Sequence, residues 1–445
     1  MTQQQHVVII GGSAAGIEAS KGARRNPMVG KVTVIRKEGK ILVPCGIPYI
    51  FGTLGSIDKN VMPDALLGDS ELIVDEVTAI DRKAKTVTTA GARTISYDKL
   101  ILCTGSKPVV PPIPGIDKEN VFAVWKDPDY LSELEEKLKT AKKLIVVGGG
   151  FIGVEFADEC RKRGLDVTLV ELLPHCLQLV CDEPLCVKAE DALSNNGVQL
   201  VTNDAVSAIG GDGKVKHVEL KSGQSLDADV VVIGIGAVPN TDLAQQAGLE
   251  IGEQKGIKVD EYMRTSDPDI LAAGDCAEKY SFFTGKAVPL RLASIATREA
   301  KVAAMNLFEA RVENPGAMGV FSTSIGGTSV GVAGLTEAAA TRDGYNIVIG
   351  EAGAVDKHPG SMPGATETKV RLLFDKKTGE MIGGQVCGGP STGEIANVMA
   401  ALIAGHMTAE QVALFQMGTH PILTASPIVY QIVNAADQAI AKLNG

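Results

Sequence analysis

The sequence predicts an α/β protein: two parallel-sheet units of strand–loop–helix–strand type, followed by a smaller C-terminal α+β unit. Three observations carry this. An apolar strand, His6-Val7-Val8-Ile9-Ile10, runs into the glycine loop 11–16, a helical stretch and a second strand, Val32-Thr33-Val34-Ile35. The same order recurs with Leu144-Ile145-Val146-Val147, the glycine loop 148–153, a helical stretch and Val167-Thr168-Leu169-Val170. After Pro315 the texture changes to strands with glycine turns over 321–350 and 368–387, then helices over 393–404 and 427–443. Alternating strands and helices argue for parallel sheets with crossover helices.

Length and composition bound the rest. At 445 residues the chain exceeds one ordinary core, so two or three domains are expected. Apolar residues at 45% and charged residues at 22% are globular values. A net charge of −10 offers no general attraction to nucleic acid or to an anionic membrane. No segment is long and apolar enough to span a bilayer. Met1-Thr2-Gln3-Gln4-Gln5 leads straight into a strand, without a basic n-region or an apolar h-region. Eight scattered cysteines without a secretory signal point to a reducing compartment. The expectation is a cytoplasmic protein with neither nucleic acid nor membrane as partner.

Each glycine loop sits between a strand and a helix, the context in which such loops bind a pyrophosphate. Glycine lets the backbone approach the phosphates, and the helix N-terminus supplies N–H donors and a positive dipole. Gly148-Gly149-Gly150-Phe151-Ile152-Gly153 fits the G-x-G-x-x-G fingerprint fully. Glu171 closes the next strand, about 20 residues on, where a carboxylate pairs with a ribose 2′-hydroxyl. It would repel a 2′-phosphate, and Leu172 and Leu173 offer no cation, so NADH is favoured over NADPH. The first loop places Ser13 at the second glycine, a small residue whose hydroxyl could donate to a phosphate. Two Rossmann-like loops imply two dinucleotides on one subunit. With Cys45 soon after the first loop, a redox enzyme is the first reading.

Two further landmarks follow. Leu100-Ile101-Leu102-Cys103-Thr104-Gly105 and Val230-Val231-Val232-Ile233-Gly234-Ile235-Gly236 are strands ending in small-residue turns. Ile270-Leu271-Ala272-Ala273-Gly274-Asp275 presents a carboxylate at a strand's C-terminal edge, where open α/β sheets bind ligands. A helix is expected over 295–308.

In this order the motifs resemble the FAD-dependent pyridine nucleotide–disulfide oxidoreductases over essentially the whole chain. Val43-Pro44-Cys45-Gly46-Ile47-Pro48-Tyr49 resembles their single-cysteine branch of NADH oxidases, NADH peroxidases, coenzyme A-disulfide reductases and CoA-persulfide or polysulfide reductases. The resemblance implies an FAD domain from 1–112 and 245–320, an NAD domain at 113–244 and a dimerisation domain at 321–445, assembled as a homodimer. It places Gly11, Gly12, Ser13, Ala14, Ala15, Gly16, Thr104, Gly105, Gly274 and Asp275 on FAD. It places Gly148, Gly150, Phe151, Ile152, Gly153, Glu171 and Gly236 on NADH, with Glu155 near the nicotinamide. The family's FAD-ribose acid is missing: Arg36 stands there, with Glu38 two positions later as a substitute. Peroxide-reducing relatives carry a histidine that matches Ala14, which weakens an oxidase or peroxidase reading.

Two-cysteine relatives pair the first cysteine with one five positions later, but that position is Ile50. A single sulfur can instead cycle through mixed disulfide, persulfide or sulfenic acid. Its thiolate would gain from a following helix N-terminus. The family's His-Pro element, donated across the dimer as an acid–base catalyst, matches His420-Pro421, but without the glutamate that orients it; a structural interface role stands beside the catalytic one. Lys21, Arg24 and Arg25 close the first helix, where cations suit the dipole and could also meet coenzyme A phosphates. Cys176, Cys181 and Cys186, spaced by five, are not a zinc signature and would scatter around a helix; no metal site is expected.

The expected activity runs from NADH through FAD to Cys45, which reduces a disulfide, persulfide or polysulfide, with coenzyme A thiols in view. An NADH oxidase making water or hydrogen peroxide is the alternative. Electron transfer to a quinone, metal or redox-protein acceptor, or a non-catalytic NAD-responsive flavoprotein, lies further off. The residues leave the acceptor open.

Overall fold

The computed structural model describes residues 4–444. Two compact units emerge. The first comprises 4–111, Ala123–Thr140 and Gly236–Ala317. The second comprises Pro112–Phe122, Ala141–Ile235 and 318–444.

The first unit is built on a five-stranded parallel sheet in the order Ile270–Ala272, Lys99–Leu102, Gln5–Ile10, Val29–Arg36, Glu71–Val74. Ile9 lies opposite Val34 on one side and Ile101 on the other. All three are fully buried, which is why these strands read as unbroken apolar runs rather than alternating ones. Helices Ala14–Arg24 and Ala293–Met305 pack together so closely that a Cβ on Gly22 would lie 2.4 Å from the Ala304 side chain. The expected 295–308 helix thus starts two residues earlier and stops at Met305. A small antiparallel sheet, Val77–Asp81, Thr86–Thr89 and Thr94–Ser96, completes the unit.

In the second unit, Lys143–Val147 pairs in parallel with Val230–Ile233 and Asp166–Val170, and the latter with Gln199–Val201. Its C-terminal part is an antiparallel five-stranded sheet in the order Val320–Ile325, Thr328–Gly334, Met381–Gly388, Glu367–Asp375, Ile347–Val355. Helices Thr392–Ala404 and Gln431–Leu443 pack on that sheet. The latter buries Ile432, Ala435, Ala436 and Ala439, one face at helical spacing. The 321–350 stretch, read as strands alone, also holds the helix Glu337–Arg342, whose N-cap Thr336 accepts from the Ala339 amide. The cysteine triplet is corrected as well. Only Cys186 is helical, because Pro184 opens the helix Glu183–Asn195, and all three thiols are buried in or beside the preceding turns. Among the described residues no helix is long and apolar enough to cross a membrane.

Candidate active site

The first nucleotide loop follows from the meeting of strand Gln5–Ile10 with helix Ala14–Arg24. Gly11 adopts φ +111°, and a Cβ on Gly16 would lie 1.9 Å from the Gly11 carbonyl oxygen, so both positions demand glycine. Ser13 is the N-cap but makes no side-chain cap bond, and the first turn carries no acid. Neither a capping side chain nor a first-turn acid competes there for an anion, an arrangement that suits a pyrophosphate. Ala14 and Ala15 add no bulk there.

At the same C-terminal edge of the sheet, one strand over, Thr104 Oγ1 donates to the Asn240 carbonyl oxygen at 2.6 Å, and Asn240 Nδ2 returns a bond to the Thr104 carbonyl at 3.2 Å. That clasp sets Gly105 at φ +71°. Asp275 Oδ2 accepts from Ser106 Oγ at 2.8 Å and Lys126 Nζ at 3.3 Å. Gly274 is held from both sides: its amide donates to Glu299 Oε2 at 2.9 Å, and its carbonyl accepts from Lys279 Nζ at 2.6 Å. Lys279 and Glu299 form a buried ion pair at 2.9 Å. Burial pushes the Glu299 carboxyl up, against the Lys279 charge beside it. Sequence reasoning missed Ser106, Lys126, Lys279 and Glu299. The one available signal was charge inside otherwise apolar segments, an arrangement that demands a partner.

Cys45 sits in the 3₁₀ turn Pro44–Gly46, followed by short helical turns Ile47–Tyr49 and Ile50–Leu54, the second of π type. Ile47, Ile50 and Phe51 anchor this stretch in the core, leaving Cys45 exposed at its leading end. Ile50 is fully buried, so the position of a second redox cysteine is occupied by packing. Asn60 braces the approach, donating from Nδ2 to the Val43 carbonyl at 3.0 Å and accepting the Val43 amide on its own carbonyl at 2.9 Å. Nothing in the local pattern marked Asn60. Of the eight cysteines Cys45 alone is exposed. Burial raises the thiol pKa of Cys103, Cys176, Cys181, Cys186, Cys276 and Cys387.

In the second unit the loop 148–153 repeats the first. Gly148 adopts φ +104°, and a Cβ on Gly153 would meet the Gly148 carbonyl oxygen at 1.8 Å. Gly150 is the N-cap of helix Phe151–Lys162 and has no side chain with which to cap it. Glu171 Oε2 accepts the Gly149 amide and Oε1 the Leu173 amide. The carboxylate is thereby fixed against the loop. Gly236 belongs to the first unit, where its carbonyl accepts the Val109 amide at 2.9 Å.

Glu155, one turn into the same helix, is half-buried and accepts from Thr323 Oγ1 at 2.8 Å. Burial pushes its carboxyl up to about 7; the Thr323 bond opposes this and the Glu159 charge adds to it. Phe151 stacks on Phe321 with ring centroids 5.1 Å apart, tying the helix to the strand Val320–Ile325.

His420 is exposed. Among the described residues no glutamate is bonded to its ring; Nδ1 accepts the Ile422 amide at 3.3 Å, and its own amide donates to Thr424 Oγ1 at 2.9 Å. With Nδ1 an acceptor, the neutral ring carries its proton on Nε2. On the same stretch of chain Leu414, Ile422, Leu423 and Ile428 are 56–84% exposed, more apolar side chain than a surface usually leaves to water. At the first helix, Lys21 lies 3.7 Å from Glu18, which already meets part of its charge.

Residues 5–300 match the pyridine nucleotide-disulphide oxidoreductase family, and 320–427 match its dimerisation domain, which supports a homodimer. The chain is 33% identical to an NADH oxidase of Methanocaldococcus jannaschii, over 98% of this chain and 99% of that protein. It is 30% identical to an NAD(P)H coenzyme A polysulfide/persulfide reductase of Pyrococcus horikoshii, over 91% and 92%. Among solved structures, an NAD-dependent persulfide reductase from A. fulgidus superposes with a TM-score of 0.92 at 30% identity, covering 99% of this chain and 84% of that one. A water-forming NADH oxidase from Lactobacillus brevis bound to NADH superposes with a TM-score of 0.89 at 29% identity, covering 99% of both. The chain therefore belongs to the pyridine nucleotide-disulphide oxidoreductase family, as an enzyme that uses FAD and NADH.

Proposed function

We propose that this enzyme spends the electrons of NADH on a sulfur–sulfur bond, reducing a disulfide, persulfide or polysulfide at Cys45. The observation that carries this is the single exposed thiol at the head of the 44–54 turns, with its would-be partner position filled by buried Ile50. In this reading the FAD pyrophosphate lies on 11–16, and Gly105 and Asp275 face the flavin end. NADH lies on 148–153 and Glu171. FAD supplies two-electron transfer between the nicotinamide and sulfur.

Cys45 thiolate attacks one sulfur of the substrate R–S–S–R′, forming Cys45–S–S–R and expelling R′S⁻. Two electrons from NADH then break the mixed disulfide, RS⁻ leaves and the Cys45 thiolate returns. NADH becomes NAD⁺ and one proton, and with a second proton from solvent the two thiolates become thiols. His420, brought by the partner subunit of a homodimer, is the proton donor to the leaving thiolate in its imidazolium form, for which Nδ1 must release the Ile422 amide. Coenzyme A thiols suit the cations Lys21, Arg24 and Arg25 at the close of the first helix.

Oxygen reduction is the second reading, favoured by the NADH oxidase relatives, with Cys45 passing through a sulfenic acid. Ala14 counts against it, because the peroxide-handling relatives carry a histidine there. The test is anaerobic reduction of the enzyme with NADH, then mixing with coenzyme A disulfide, CoA-persulfide, polysulfide or oxygenated buffer. Fast reoxidation by one sulfur compound is the expected result; fast reoxidation by oxygen alone would make the enzyme an oxidase.

Glu171→Gln is expected to narrow the preference for NADH over NADPH by about tenfold in kcat/KM, since it removes the charge that repels a 2′-phosphate. An unchanged ratio would take the ribose away from Glu171.

A further inference from the structure

The cation at the end of the second strand poses a chemical problem. A ribose diol held at that edge of an open sheet is recognised by a carboxylate acceptor, and Arg36 offers donors only. We infer that Asp64, carried to this strand end by Arg36, is the carboxylate that holds the adenosine ribose of FAD. The inference rests on FAD dependence and is independent of which acceptor the enzyme reduces.

Arg36 is placed as a support. Its side chain is only 2% exposed. Nε donates to the Glu38 carbonyl at 2.9 Å, Nη2 to the Gly39 carbonyl at 2.7 Å and Nη1 to Asp64 Oδ1 at 2.7 Å. Its stem lies against the first nucleotide loop: a Cβ on Gly12 would come 2.7 Å from Arg36 Cδ. The guanidinium thus spans from Gly12 to Asp64, closing the 36–39 turn on the way. The Asp64 side chain, by contrast, is 55% exposed, with Oδ1 taken by Arg36 and Oδ2 left to a hydroxyl. It opens the 3₁₀ turn Asp64–Leu67, which Pro63 precedes and buried Leu67 anchors, so the carboxylate is held from its backbone as well as from Arg36. A charge-assisted bond of this length fixes its orientation. Glu38 is the other acid at the strand end, but Arg36 takes its carbonyl oxygen and leaves its longer side chain without that clamp. The Arg36–Asp64 pair therefore restores an acceptor where the strand itself has lost one.

The test is titration of the full-length protein, stripped of flavin, with FAD and with an FAD analogue lacking both adenosine ribose hydroxyls, followed by flavin fluorescence. The proteins are wild type, Asp64→Asn and Glu38→Gln; all keep Arg36 beneath the loop. Wild type should bind FAD about tenfold more tightly than the analogue, the value of one charged hydrogen bond. In Asp64→Asn that ratio should fall to about two, while Glu38→Gln keeps it. A ratio unchanged in Asp64→Asn, a collapse in Glu38→Gln instead, or equal weakening of both ligands would overturn the assignment. Flavin binding itself is read in the same titrations, so failure of the FAD site as a whole is distinguishable from failure of Asp64.

Discussion

Replacing Cys45 by serine is expected to leave FAD bound and abolish sulfur turnover, lowering kcat by roughly a thousandfold or more. A serine hydroxyl, with a pKa far above that of a thiol, is a much weaker nucleophile at neutral pH and a far poorer leaving group from a mixed species than a thiolate. The flavin loop, the Thr104–Asn240 clasp and the Gly274 clamp do not involve Cys45, so the visible flavin spectrum and the rate of reduction by NADH should persist. The measurement is a pair of rates: anaerobic reduction by NADH and reoxidation by the sulfur substrate. Retention of both in Cys45→Ser would remove the mechanism. The buried cysteines are poor substitutes, because burial raises their thiol pKa and holds them protonated.

The second large effect is a pH step set by Glu155. Its carboxyl is pushed up to about 7 by burial. If Glu155 lies by the nicotinamide, as the resemblance implies, its ionised form stabilises the positive charge that develops there as hydride leaves, where the protonated form does not. The sign is therefore fixed: reduction by NADH should rise with pH through about 7, by roughly tenfold between pH 6 and 8. Glu155→Gln should abolish the step and hold the rate near its acid limit. Thr323 Oγ1 donates to Glu155 and favours the charged form, so Thr323→Val should move the midpoint upward, by up to about one unit for a bond of ordinary strength. Stopped-flow reduction across pH in the three proteins decides it. A downward shift in Thr323→Val, or a step that survives Glu155→Gln, would assign the titration to another group.

Much of this site was legible in the chain because it rests on local pattern. The runs around Ile9, Val34, Leu144 and Val167 are apolar on both faces, which only strands buried within a covered sheet require. Gly11, Gly16, Gly148 and Gly153 stand where strand and helix approach too closely for a side chain. Asp275 and Glu171 stand out because strands end at them. Helix ends were less exact, and the helix Glu337–Arg342 was missed, since its six residues are too few to show a period beside the strands.

What the sequence by itself determined was the architecture, the two glycine loops between strand and helix and the lone cysteine of the 44–54 turns, all consequences of residues adjacent in the chain. What only the tertiary structure decided was how the charges are held. Thr323 meets Glu155 across 168 positions, Ser106 meets Asp275 across 169, and Arg36 meets Asp64 across 28. Lys279 and Glu299 are buried together on Gly274. Periodicity reports which face of an element is buried; it carries no record of which distant polar group will meet it there. Those pairings arise only once the backbone has closed, because a buried charge must then find a partner or give up its charge.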